Sequence, residues 1–227
     1  MTQYNIEKAR ETLTSGGWLS FQTPQFREEI LSRGFIQYYP PGSTVYRYGD
    51  ELGGIYGMIW GAVAVTTAPP TSLPKLVHMG RPGGWTGEGC FLTRRPRRLG
   101  LHCILDTWLF HVPLNVLDEM AAKDPNVIRY ISQILLLNSD MLVHVVHDLQ
   151  IPQAERRIAA ILWRTAFHGN QAVPLSQEEI GAMSNTSRKQ VNAALRKFAE
   201  LGWVTASYRQ VTVENATALN AFAKEED

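Results

Sequence analysis

The chain has 227 residues, 44% hydrophobic and 19% charged, with a formal net charge of +1. That mixture can bury a sizeable core, excludes a disordered chain and suits two compact domains. No run of about 18 apolar residues is present to span a membrane. The first residues, MTQYNIEKAR, hold no apolar signal core, and two cysteines are too few for a disulfide framework or a four-cysteine iron–sulfur site. A reducing cytoplasm is the expected setting.

In chain order, residues 5–34 read as two helical pieces, parted by Gly16-Gly17, with Pro24 near the start of the second. From Ile36 to Pro113 the pattern changes to short alternating runs: Ser43–Tyr48, Ile55–Trp60, Ala62–Thr67, Leu76–Met79 and Thr107–Val112. Turn residues such as Pro40-Pro41-Gly42, Gly53-Gly54 and Pro82-Gly83-Gly84 separate them. Short strands at this spacing predict a closed β-structure, a barrel or jelly roll.

Pro125 opens a helix running to about Leu149, roughly 37 Å long at 1.5 Å per residue. Ile128, Leu135, Leu142 and Leu149 recur every seven residues, with Ile131, Asn138 and Val145 between them. This a/d seam, with Asn138 its one polar position, predicts a dimerisation helix. Packing on its own β-domain is the competing reading. Val127, Ile134, Met141 and Val146 widen the apolar stripe enough for both faces to be used. Ile151-Pro152 then breaks the helix and marks a boundary. The expected domains are 1–113, a β-roll sensor with N-terminal helices; 114–150, the long helix and its lead-in; and 151–227.

A further helix is predicted over Gln153–Phe167. Leu175 to Phe198 then read as a helix-turn-helix. Ser176 with Glu179, and Ser187 with Gln190, are two capping boxes that each open a helix. Asn185 between them tolerates the left-handed backbone of a tight turn. On the second helix Val191, Ala194, Leu195 and Phe198 form an inner apolar stripe, and Arg188, Lys189 and Asn192 lie opposite. Gly202 stops this helix. Trp203–Ser207 and Gln210–Val213 then form a hairpin across Tyr208-Arg209, the wing of a winged helix. Residues 1–149 carry 13 basic and 13 acidic side chains, but 150–213 carry 8 and 4. The basic excess lies where phosphate would be met.

The order β-roll, long helix, winged helix-turn-helix resembles the Crp/Fnr family, the catabolite activator and fumarate–nitrate regulator type, over about residues 20–213. Gly87-Glu88-Gly89-Cys90-Phe91-Leu92 followed by Pro96-Arg97-Arg98-Leu99-Gly100 is similar to its phosphate-binding cassette. Glu179-Ile180-Gly181 and Ser187-Arg188 match its helix-turn-helix. The resemblance implies an α+β fold: a cyclic-nucleotide-binding-like β-roll, a long dimerisation helix and a C-terminal winged helix-turn-helix. It also implies a homodimeric transcriptional regulator on pseudo-palindromic double-stranded DNA, in contact with RNA polymerase and controlled by a small effector at the roll.

By the same resemblance, Glu88 and Arg98, beside Gly87, stand where members hold the ribose hydroxyl and the cyclic phosphate. Leu99 stands where they carry a Ser or Thr donor, and Leu142 and Val143 where a polar pair reads the purine. One hydrogen bond to a charged group is worth about 1.5–3 kcal/mol. A cyclic nucleotide stays open, but the expectation is another effector or none. Arg188 is the candidate guanine reader, Lys189 and Asn192 are secondary base readers, and Ser187, Gln177 and Arg209 are phosphate contacts. Ala193 replaces a second base-reading arginine. The alternative is a small-molecule sensor whose winged domain contacts protein instead of DNA. No nucleophile–base pair, metal triad or phosphate loop is found, so neither catalytic nor metal residues are expected.

Overall fold

A computed structural model describes residues 5–67, 75–166, 172–173, 175–207 and 210–225. It divides into two compact units, Met1–Pro74 with Met79–Met141, and Lys75–His78 with Leu142–Asp227.

The first unit opens with α1 (Ile6–Ser15) and α2 (Pro24–Arg33), capped by the side chains of Asn5 and Thr23. The strands follow: β1 (Phe35–Tyr39), β2 (Thr44–Tyr46), β3 (Ile55–Trp60), β4 (Val63–Thr67), β5 (Lys75–Gly80) and β6 (Trp85–Thr86). After them come α3 (Glu88–Thr93), β7 (Gly100–Cys103), β8 (Thr107–Val112), α4 (Leu114–Lys123) and the long α5 (Asn126–Gln150). Two four-stranded sheets result, ordered β1-β8-β3-β6 and β2-β7-β4-β5.

Antiparallel register pairs Tyr56 with His111 and Met58 with Leu109. Strand alternation therefore sends these four to one face of the first sheet and Ile55, Ile59, Phe110 and Val112 to the other. Met58 and Leu109 meet Tyr46, Val63, Leu101 and Cys103 of the second sheet. Ile55, Ile59, Phe110 and Val112 pack instead with Leu13, Trp18, Phe26, Leu117 and Ile131 from the helices. Each such side chain contributes about 1.5–3 kcal/mol on burial. Both cysteines are free and buried, Cys90 on α3 and Cys103 in the roll.

The seam predicted on α5 splits in two. Ile131 is fully buried in the core of its own unit, with Val127 and Ile134. Asn138 donates through Nδ2 to the carbonyl of Trp85 and to Glu88. Ile128, Leu135, Leu142 and Leu149 are exposed, beside Val143 and Val146, while Val145 is half-buried. The reason is helical period: at 100° per residue, Ile131 and Asn138 stand roughly 60–80° round from Ile128. One turn of the stripe faces the roll and the next faces outward.

The second unit holds the end of α5, α6 (Ala154–Thr165), α7 (Gln177–Ser184) and α8 (Arg188–Glu200). A three-stranded sheet ordered β10-β11-β9 and a final helix α9 (Ala216–Lys224) complete it. Its strands are β9 (Ala172–Val173), β10 (Val204–Ser207) and β11 (Gln210–Val213). The helix expected over Gln153–Phe167 is α6; Phe167 lies outside the described residues. β9 and α9 were not foreseen. Phe222 of α9 closes a cluster with Phe198 and Trp203, ring centroids 5.6–5.7 Å apart. Among the described residues no helix is long and apolar enough to cross a membrane.

Candidate nucleic-acid interface and effector cassette

Both capping boxes are formed. Ser176 Oγ accepts from the amide of Glu179, whose carboxylate accepts from Ser176 in return. Ser187 and Gln190 do the same at the start of α8. Asn185 caps α7 at φ 50°, the left-handed conformation the turn requires. Gly181 permits the close approach of the turn, since a Cβ there would lie 2.9 Å from the carbonyl oxygen of Thr186. Val191, Ala194, Leu195 and Phe198 are buried, which fixes the rotation of α8 about its axis. Arg188, Lys189, Asn192 and Ala193 are consequently exposed together at its N-terminal end.

Arg196, one turn beyond Asn192, is exposed too and was missed; its i+4 spacing was the available signal. Gln177 is half-buried at the first position of α7. The Ser187 hydroxyl donates to Gln190 Oε1 and accepts its amide, so it is committed to the cap. Arg209 lies outside the described residues.

In the cassette, Gly87 takes φ 98° to start α3 and turns Glu88 inward. Glu88 accepts from Asn138 Nδ2 at 3.1 Å. Burial pushes its carboxyl above the usual range, against the opposing pull of Asn138 and Arg97. The inward arginine is Arg97, not Arg98. Arg97 is buried and donates to the carbonyls of Gly54 at 2.9 Å and Gly87 at 3.2 Å. Its guanidinium lies 4.3 Å from the Tyr46 ring centroid and 5.6 Å from that of Tyr56. Gly53 leaves room for it, because a Cβ there would sit 2.2 Å from Nη2. Arg98 points outward. The physical reason is parity: Leu101 and Cys103 of β7 are buried, so odd-numbered residues of the extended approach face inward. Of the other arginines, Arg95 is exposed and Arg94 pairs with Asp118.

Residues 36–124 match the model of the cyclic nucleotide-binding domain, and residues 156–222 that of the Crp-like helix-turn-helix domain. The chain belongs to the Crp/Fnr family. A CRP-like cAMP-activated global transcriptional regulator of Mycobacterium tuberculosis is 24% identical, over 80% of this chain and 84% of that protein. The fumarate and nitrate reduction regulatory protein of Salmonella typhimurium is 21% identical, over 80% and 76%. FixK2 of Bradyrhizobium japonicum shares the fold, with a TM-score of 0.71 at 20% identity over 86% of this chain and 99% of that one.

Within this Crp/Fnr roll the cassette keeps an inward glutamate and arginine and departs from a cyclic-nucleotide site at Leu99. Two of the five N–H groups of Arg97 are committed to the carbonyls of Gly54 and Gly87, which leaves fewer for an anion. Leu99, half-buried with the same parity as Arg97, has no side-chain donor to replace the missing hydroxyl. Leu142 and Val143 are exposed and apolar.

Proposed function

We propose that this chain acts as a homodimeric, sequence-specific transcriptional regulator whose α8 enters the major groove of a pseudo-palindromic operator. One observation carries the reading: a capped, rotationally fixed helix whose exposed tip presents Arg188, Lys189 and Asn192. Arg188 and Lys189 donate and do not accept, so they favour the O6 and N7 acceptors of guanine. The exposed row on α5, from Ile128 to Leu149, supplies an apolar surface for a second copy. Two tips about 34 Å apart would then address half-sites one turn apart. The relatives named for transcriptional regulation support the same reading. Arg97 bonds to the carbonyls of Gly54 and Gly87 and lies over the Tyr46 and Tyr56 rings, and Leu99 brings no side-chain donor, which supports DNA binding without cyclic AMP.

The test is an operator obtained by selection from random duplexes, followed by titration of Arg188→Ala. The variant should lose about 1–3 kcal/mol of discrimination at one base pair per half-site, roughly a 5- to 150-fold loss. Retained preference at every position would remove Arg188 from the reading. Failure to select any duplex, with weak salt-independent binding, would favour a protein-contacting winged domain instead.

A further inference from the structure

The corner between α5 and α6 holds an arginine that neither base reading nor the cassette uses. Arg157 sits half-buried in the first turn of α6, and its guanidinium donates to four main-chain carbonyls. Nη1 donates to Ile151 at 2.7 Å and to Pro152 at 2.9 Å. Nε donates to Ser184 at 2.9 Å, and Nη2 to Asn185 at 3.3 Å. The first two carbonyls belong to the link that follows α5. The other two form the turn between α7 and α8.

Helix ends and turns are where carbonyls run out of intrahelical donors. A guanidinium satisfies several at once because its five N–H groups lie in a rigid planar fork. Four used together tie the link after α5, through α6, to the end of α7, where the turn to α8 begins. A second link lies in the same corner: Asp148, in the last turn of α5, pairs with Arg164 of α6. The Arg164 side chain is only 6% exposed. The break at Pro152 is therefore braced on two sides.

We propose that Arg157 is a positioning residue, which sets the angle at which α8 is presented relative to the end of α5. This rests on the reading of the chain as a dimer on two half-sites. With α5 shared by the dimer, a fixed α8 angle makes the required half-site spacing strict. A loosened corner makes that spacing tolerant.

The test measures wild type, Arg157→Lys and Arg157→Gln on the selected operator, on operators with one or two central base pairs added or removed, and on one half-site. Each added pair shifts the half-sites by about 3.4 Å and a tenth of a turn. Wild type should lose at least tenfold on altered spacings. Lysine keeps the charge but cannot span both carbonyl pairs, so Arg157→Lys should bind the optimum about tenfold more weakly. Its altered-spacing operators should fall within about threefold of that value, and its half-site affinity should be unchanged.

A wild-type spacing penalty retained in both variants would overturn the proposal. So would an equal loss on every duplex, half-site included, with a lowered melting temperature, which is the mark of a folding role. Arg157→Gln supplies the comparison if the lysine variant does not fold. Wild-type indifference to spacing would instead overturn the dimeric reading on which the proposal rests.

Discussion

Inside the roll, His111 stacks on Tyr56 with ring centroids 4.4 Å apart and planes 6° from parallel. Its Nε2 is buried with no hydrogen-bond partner among the described residues. Burial first, and the charge of Arg97 second, push the imidazole below its ordinary value. A histidine so depressed contributes stability above its unfolded pKa of about 6.5, and that contribution is lost as pH falls through the folded pKa. Glu88 works the other way. Burial raises its carboxyl, so its contribution is present below the unfolded pKa and fades as pH rises through the folded one. His111→Phe keeps the ring stack and removes the titrating proton. Between pH 7 and pH 5 the variant's melting temperature, followed by circular dichroism, should fall less than that of wild type. Parallel declines in the two proteins would remove His111 as the acid-sensitive group.

On α5 the neighbours Ile131 and Leu135 separate the helix's two tasks. Ile131 is 0% exposed against its own unit, and Leu135 is 48% exposed. Truncating Ile131 to alanine leaves a cavity and should cost about 2–5 kcal/mol in urea unfolding without altering assembly. Leu135→Glu should leave the fold within about 0.5 kcal/mol of wild type measured as monomer, yet place paired carboxylates in the seam and shift sedimentation to monomer. A dimeric Leu135→Glu protein would place the two-fold contact elsewhere. The heptad was legible in the sequence because every apolar position was there to count. Which half faced inward was not, since that depends on how the roll meets the helix. β3 and β8 were readable end to end from alternation and bounding turns. By contrast β6 and β9 hold two residues each, too few for any period to show. α3 hides in a glycine-rich run, and α9 owes its apolar face to Phe198 and Trp203 across the fold. The helix-turn-helix was the most legible part, because its caps are written in adjacent residues. Arg98 was expected to turn inward, and the alternation of Leu101 and Cys103 could have shown that Arg97 does so instead.

For the whole molecule, charge balances over 1–149 and 150–213 carries a basic excess, which places phosphate attraction around the helix-turn-helix and not over the whole winged unit. On the proposed reading, electrostatics supplies affinity and α8 supplies discrimination. A ligand shifts an equilibrium only by its differential affinity for the two states. Cyclic AMP at a hundred times its Kd would add about 2.7 kcal/mol to the stability of a protein that binds it. For a chain of this length that corresponds to several degrees of melting temperature. With two N–H groups of Arg97 bonded to carbonyls and Leu99 offering no side-chain donor, millimolar cyclic AMP should move the melting temperature by less than about one degree. Operator affinity at fixed salt should change less than twofold when it is added. A shift of several degrees at micromolar cyclic AMP, with tighter operator binding, would mean that Arg97 leaves Gly54 and Gly87 for the phosphate and that the roll still gates the DNA-binding unit.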